Sequence, residues 1–397
     1  MEYHNVEADN KVDLKAKTVE QFVSSEETHS IEPANKVEVK TNTLEDSNCS
    51  EKSYKAEQNG NTNSESRITV RCSNMYKYVL EQMPTEMEEF MAGGQIKSGY
   101  SNLDVITNLY PGMYVIGAIS SLGKTTFIHQ MTDQMAETGS AVLYFSMEQS
   151  TLELASKSLS RTMAKRNSCT PMTSLQIRRN GSDPRVKDAI SDYILYADNL
   201  YIVECGFNAN IDFIEDTVRR FIEQKGKKPI VVIDYLQVIQ PPTGSRMNNS
   251  KDLIDMYVRR LKQLQSENKL VMIVISSLNR QNYLMPVDFE SFKESGGIEY
   301  TADVVWGLQL EVLHTNDAFT SPKASVSDKR QVIKEAKVAN PRRIELVCLK
   351  NRFGIASYSC MFEYFPQFDY FRPILSGKEK ALLRSTIDLD GLTKLSK

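Results

Sequence analysis

The sequence predicts an α/β fold built on a mainly parallel sheet, and three observations point there. From residue 111 onward, short β-rich runs alternate with helical stretches of ten or more residues. Two of the runs, "IVVID" and "LVMIVIS", are apolar without a break, as strands covered on both faces require. A third, "GMYVIGA", passes through a small-residue loop into an amphipathic stretch that begins at Lys124.

Taken in order, the chain opens on a segment of different character. Residues 1–66 hold 14 acidic and 7 basic side chains and three aromatics, Tyr3, Phe22 and Tyr54. Such a composition buries too little apolar surface to offset the entropy of ordering, so a disordered acidic arm is expected. The other residues hold 41 basic and 37 acidic side chains, so the formal charge of −3 conceals a slightly positive body. Residues 67–95 form a linker whose "MYKYVLEQMPTEMEEFM" has helical spacing and predicts one or two short helices broken near Pro84.

The domain proper is expected over 96–372. "GMYVIGA" reads as a strand, 124–138 as a helix ended by Gly139, and "AVLYFS" as the next strand. "LYIVE" follows, then a helix over 211–225 closed by "GKKP", then "PIVVID" and "KLVMIVIS" with a helix over 251–266 between them. Residues 311–341 are polar without strong periodicity and read as an insertion or loop. "IELVCLK" and "YSCMFEYF" predict a hairpin around "NRFGIAS", and 373–397 a flexible tail. The start has no basic-then-apolar leader and no run is long enough to cross a bilayer, which predicts a soluble, cytoplasmic protein with no membrane partner. Six cysteines without a CxxC pair argue against a zinc site or a disulfide framework.

The corner "GAISSLGKTT" carries the chemistry. A strand, a loop of small residues and a following helix are the context of a phosphate-binding P-loop, in which backbone amides and the helix N-terminus face the phosphates. Gly117, Ala118, Ser121, Gly123, Lys124, Thr125 and Thr126 make up the candidate nucleotide site, with Lys124 for the terminal phosphates and Thr125 for Mg²⁺. The strict pattern asks for glycine where Ala118 stands. An ordinary strand-to-helix turn is the competing reading. Asp234 ends the buried run "PIVVID", where a carboxylate can reach the same Mg²⁺, although an aspartate there can also simply cap a helix. Glu148 follows the strand "AVLYFS" and suits general-base work on an attacking water, or equally a helix N-terminus. Lys350 and Arg352 alternate at a strand end and point the same way, as a phosphate clamp needs; a solvated basic hairpin is the alternative.

From "SGYSNLDVITNLYPGMYVIGA" through "FSMEQS", "VVIDYLQVI", "ISSLNR", "FKESGGIEYTADVV" and "LKNRFG", residues 96–372 resemble the C-terminal motor domain of DnaB-type replicative helicases. Ala118 matches that family's own departure from the P-loop pattern. The resemblance implies a RecA-like P-loop NTPase that uses ATP and Mg²⁺, closes as a homo-hexameric ring, and moves 5′ to 3′ on single-stranded DNA, with a primase or a loader protein as further partner. Carried over residue by residue, it makes Glu148 the catalytic base and Asp234 the Walker-B acid. Lys350 and Arg352 become the basic pair whose arginine reaches a neighbour's γ-phosphate. "FKESGG" resembles the pore loop, so Lys293, Glu294 and Gly296 are the DNA candidates, with Arg246 and Lys251 of "PPTGSRMNNSK" as weaker ones. A recombination ATPase of the RecA/RadA kind, or a non-unwinding ATP-binding accessory or loader, are the rival readings.

Two departures stand out. The family's γ-phosphate-sensing glutamine is replaced by Ser277, whose shorter side chain hands sensing and coupling to Asn279 or Arg280 in the same loop. Residues 1–95 do not resemble the family's helical N-terminal collar, which points to a variant from a phage or other mobile element.

Overall fold

A computed structural model describes residues 53–54, 68–69, 74–92, 96–166, 170–206, 209–242, 249–279, 283–292, 296–321, 324–377 and 379–380. The chain divides into two units, Met1–Thr85 and Glu86–Lys397. In the first, two-residue strands β1 (Ser53–Tyr54) and β2 (Ile68–Thr69) pair antiparallel, a pairing not anticipated for an acidic arm. The rest of the arm, residues 1–52 and 55–66, lies outside the described residues, as does the tail beyond residue 380.

The break foreseen at Pro84 does not occur. Helical turns run through Met75–Lys77, Tyr78–Gln82 and Met83–Ala92, with the Asn74 side chain accepting the first free amide, that of Lys77, at 3.2 Å. The middle piece is a π-turn, closed by the Met83 N–H on the Tyr78 carbonyl. A wide turn immediately before a proline relieves the clash of its ring with the preceding turn and makes its missing donor harmless.

The second unit is organised around nine strands. They are β3 (Gly112–Ala118), β4 (Val142–Ser146), β5 (Leu200–Glu204), β6 (Ile230–Asp234), β7 (Val271–Ser277), β8 (Val304–Leu310), β9 (Arg342–Asn351), β10 (Ser359–Phe365) and β11 (Tyr370–Ile374). Their spatial order is β11-β10-β9-β8-β3-β7-β6-β4-β5. The six strands from β8 to β5 are parallel, and β9, β10 and β11 extend the β8 edge antiparallel. Burial follows position: β3, β4, β6, β7 and β8 are buried almost throughout, whereas β5, at one edge, is only half-covered.

The sequence placed β3 to β7 and the β9–β10 hairpin correctly, but not β8, β11, the helices Thr151–Lys165 and Pro184–Ala197, or the helix Val326–Val338 inside the supposed loop at 311–341. A capping box, Ser325 with Asp328, starts that helix, and only Ile333 in it is buried, so apolar periodicity had little to report. β11 has a structural duty. Its Phe371 packs edge-on against Phe127 of the helix Lys124–Glu137 at 5.2 Å, and its backbone N–H and C=O both bond the Gln130 amide, at 2.8 Å each.

That helix is buried from Thr126 to Ala136, including its polar residues. Asp133 pairs with Arg161 of the helix Thr151–Lys165, and Arg161 Nη1 donates to the Asp369 carbonyl at 2.9 Å. His129 lies beside this pair. Its Nε2 donates to the Leu154 carbonyl at 3.0 Å, while Nδ1 has no hydrogen-bond partner. Protonation would create a donor with nothing to receive it, and burial lowers the imidazole to about 4, helped by Arg161 and opposed by Asp133. Because the unfolded state takes up this proton near pH 6.5 and the folded state does not, stability is lost as pH falls from about 6.5 towards 4. The expected loss is about 3 kcal/mol. Urea unfolding midpoints across that range measure it, and His129→Gln should flatten the pH dependence relative to wild type.

Candidate active site

The parallel strands bring four segments to one edge of the sheet, at their C-terminal ends. The loop after β3 carries Lys124 and Thr125, Glu148 follows β4, Asp234 ends β6 and Ser277 ends β7. Register makes the convergence specific: Ser146 is opposite Asp234, and Ala118 is opposite Ser277.

The loop adopts its shape at two left-handed positions, Ser121 at φ 70° and Gly123 at φ 91°, the latter capping the helix Lys124–Glu137. A Cβ on Gly123 would also lie 3.0 Å from the Tyr364 ring, so glycine answers both needs. Arg342 Nη1 donates to the Ser121 carbonyl at 2.9 Å, and its guanidinium stands over Tyr364, so the antiparallel strands brace the loop from behind. Lys124 Nζ donates to the Ala118 carbonyl at 3.0 Å. Burial lowers the lysine, while Asp234, Tyr283 and Glu148 pull it back up.

Thr125 Oγ1 donates to Asp234 Oδ1 at 3.2 Å and the Tyr144 hydroxyl donates to Oδ2 at 2.7 Å. Asp234 is 5 % exposed, and burial raises its carboxyl despite the hydrogen bonds from Tyr144 and Thr125; nearby Glu148 raises it further. A threonine hydroxyl beside a buried carboxylate that is short of positive charge is a hard-oxygen donor set suited to Mg²⁺. Glu148 is exposed, next to this pair: the Met147 N–H donates to the Asp234 carbonyl at 2.9 Å, and the Tyr235 phenol is raised by burial and then by Glu148. Such a carboxylate can reach water, as a base must.

Other expected residues are placed differently. The Thr126 hydroxyl turns inward to Asp369 Oδ1 at 3.4 Å, leaving only its backbone to the loop. Gly117 faces Leu278 and Phe292, where an added Cβ would come within 2.6 Å of both side chains, so it permits packing rather than touching a ligand. Ser277 gives its N–H to Gln237 Oε1 at 3.1 Å. The Asn279 side-chain amide donates to the Glu290 and Phe292 carbonyls at 3.3 and 3.4 Å, and its backbone N–H to Ser291. Lys293, Glu294, Arg246 and Arg280 lie outside the described residues. Gly296 opens the helix Gly296–Thr301, where the Gly297 N–H donates to Asp255 Oδ1 at 3.0 Å, and Lys251 is exposed on the first turn of the helix Ser250–Asn268.

Lys350 and Arg352 are not in this cluster. Arg352 Nη1 donates to Asp303 Oδ1 at 3.1 Å, and Asp303 Oδ2 accepts the N–H of Met113, at the beginning of β3. Lys350 Nζ donates to the Glu299 carbonyl at 2.6 Å. At about 3.3 Å per residue, Met113 is roughly 17 Å along β3 from Ala118, so the basic pair occupies the opposite edge of the sheet. Asp303, Tyr144 and Gln237 had no signal in the sequence, since strand pairing or a turn brings each to its partner from far along the chain.

A left-handed glycine, a helix N-terminus, Lys124, Thr125 and Asp234 at the C-terminal edge of a mainly parallel sheet define a P-loop NTPase fold of the RecA-like kind. The chain belongs to the DnaB-like helicase C-terminal domain family, whose model matches residues 95–372. It is 30 % identical over 250 residues to the replicative DNA helicase DnaB of Leifsonia xyli subsp. xyli, covering 59 % of this chain and 50 % of that protein. With the probable replicative DNA helicase of Trieres chinensis it shares 24 % identity over 302 residues, 73 % of this chain and 62 % of the other. The chain thus spans about half the length of the curated relatives it matches. Among solved structures, an ATPase domain superposes with a TM-score of 0.59 at 20 % identity, covering 75 % of this chain and 99 % of that one, which shows the shared fold. A DnaB-like replicative helicase described with its primase interactions superposes with a TM-score of 0.58 at 21 % identity, over 77 % of this chain and 68 % of that one. Among the described residues, no helix is long and apolar enough to cross a membrane.

Proposed function

We propose that the protein is the ATP-driven motor of a replicative DNA helicase, acting as a homo-hexameric ring on single-stranded DNA. The observation that carries this reading is the division of the site between two edges of one sheet: Lys124, Thr125, Glu148 and Asp234 stand at one, Lys350 and Arg352 at the other. An arginine so far from its own P-loop can meet a phosphate only in another copy, and a contact that joins opposite edges of successive copies repeats until it closes. Lys124 and the loop amides bind the phosphates, and Glu148 orients the attacking water and takes its proton. Thr125 and Asp234 would hold Mg²⁺, which when bound neutralises phosphate charge. Arg352 from the neighbour meets the charge that develops on the γ-phosphate. A cytoplasmic setting and a primase or loader as partner belong to the same reading, as does the arm over 1–66 preceding the 67–95 linker, the 96–372 motor and the 373–397 tail.

The test is strand displacement from a forked duplex with either tail extended. ATP- and Mg²⁺-dependent displacement that needs the 5′ tail is expected. Hydrolysis without displacement would instead mean an accessory protein, and long filaments on DNA a recombination ATPase. Single-stranded DNA binding should weaken with salt, and Lys293→Ala should flatten the logarithmic slope by about 0.7 for each phosphate no longer neutralised. An unchanged slope and affinity would move the DNA site away from residues 293–296.

A further inference from the structure

Ser277 has no side chain long enough for the sensing role of a glutamine, yet a glutamine amide does sit at the end of β7, supplied from the next strand. Gln237 lies in the short 3₁₀ turn Leu236–Val238, three residues beyond Asp234. Its Nε2 donates to Ser276 Oγ at 2.8 Å, and its Oε1 accepts the Ser277 N–H at 3.1 Å. One side chain therefore ties the turn that follows Asp234 to both terminal residues of β7. From there the path continues through bonded groups. Leu278 bridges Phe292, the Asn279 N–H donates to the Ser291 carbonyl at 2.7 Å, and the Asn279 amide holds the Glu290 and Phe292 carbonyls immediately before Lys293. Leu278 and Phe292 also close over Gly117 on the P-loop strand.

Resting on the helicase reading above, we propose that Gln237 is the positioning residue that couples the nucleotide site to the DNA-facing segment, replacing across the sheet the glutamine absent at Ser277. A shift of the Asp234 turn is transmitted through two hydrogen bonds to the end of β7, and through Asn279 to the residues leading into Lys293. Both ends of such a link must be bonded for it to carry a displacement, and both are.

The experiment measures steady-state ATP hydrolysis by the full chain, with and without an oligothymidylate strand, for wild type, Gln237→Ala, Ser276→Ala, and Gln237→Ala combined with Ser277→Gln. In Gln237→Ala the KM for ATP should stay at the wild-type value while the DNA-stimulated ratio falls at least about fivefold. Returning a glutamine at position 277 should restore the ratio. Equal loss of basal and stimulated rates, or a reduced ratio that Ser277→Gln does not raise, would make Gln237 a packing residue and overturn the proposal. Should Gln237→Ala fail to fold, Ser276→Ala removes one of the two bonds with little change in volume; a reduced ratio supports the link and an unchanged one refutes it. Wild-type hydrolysis indifferent to DNA would instead bring down the helicase reading itself, and the coupling role with it.

Discussion

Glu148→Gln is expected to bind ATP as tightly as wild type and to lose turnover by about 10² to 10⁴, the usual yield of a general base. The structure gives the reason for the split. Glu148 is exposed beside Asp234 and Tyr235, where it reaches water, and it makes none of the contacts Lys124–Ala118 and Thr125–Asp234 that shape the loop after β3. Lys124 is the converse case: it is half-buried in the loop, within reach of the Asp234 and Glu148 charges. Lys124→Ala should therefore abolish hydrolysis by removing the charge proposed to face the phosphates. Fluorescent-nucleotide titration and phosphate release, measured on the same preparations, separate the two effects. Wild-type turnover in Glu148→Gln would remove that residue from the role of base.

The second large effect is expected at Arg352. Arginines that complete a neighbour's phosphate site contribute roughly 10³ to 10⁵ in rate, so Arg352→Ala should reduce hydrolysis by an amount in that range. Folding should survive, because the guanidinium is half-exposed and its Asp303 partner keeps Lys262 and the Met113 N–H. In mixed assemblies each Arg352→Ala copy should silence its neighbour's site rather than its own, so at constant total protein activity should fall with the wild-type share. A loss steeper than that share would mean that one silent site stalls the rest of the assembly.

How much of this could be read in advance depended on whether the signal was local. "IVVID" and "LVMIVIS" became β6 and β7 because unbroken apolar runs suit strands covered on both faces, and "GKT" after a strand located the loop correctly. β11 was missed because it is an edge strand carrying Pro373, a residue that reads as a breaker but is tolerated where one side of the strand has no ladder to donate to. The helix Val326–Val338 was missed because its exposed face dominates its composition, although Ser325 and Asp328 did announce its start. Residues joined only by the fold left no trace. Tyr144 reaches Asp234 because β4 and β6 pair, Asp303 reaches Met113 because β8 lies beside β3, and Gln237 meets Ser276 because the turn after β6 folds back along β7. The Thr126 hydroxyl illustrates the opposite error, since its neighbours in sequence face the loop while helix periodicity turns it inward to Asp369.

The central claim is that one ATP site is assembled from two copies of the chain, and mixing two inactive variants tests it most directly. Lys124→Ala lacks a working loop but carries an intact Arg352, whereas Arg352→Ala carries an intact loop, Glu148 and Asp234. If the site is shared, combining them creates interfaces in which the loop of one faces the arginine of the other, and ATP hydrolysis should appear in the mixture and peak at intermediate ratios. Hydrolysis no greater than the sum of the two variants at every ratio, in assemblies shown to contain both, would contradict the account.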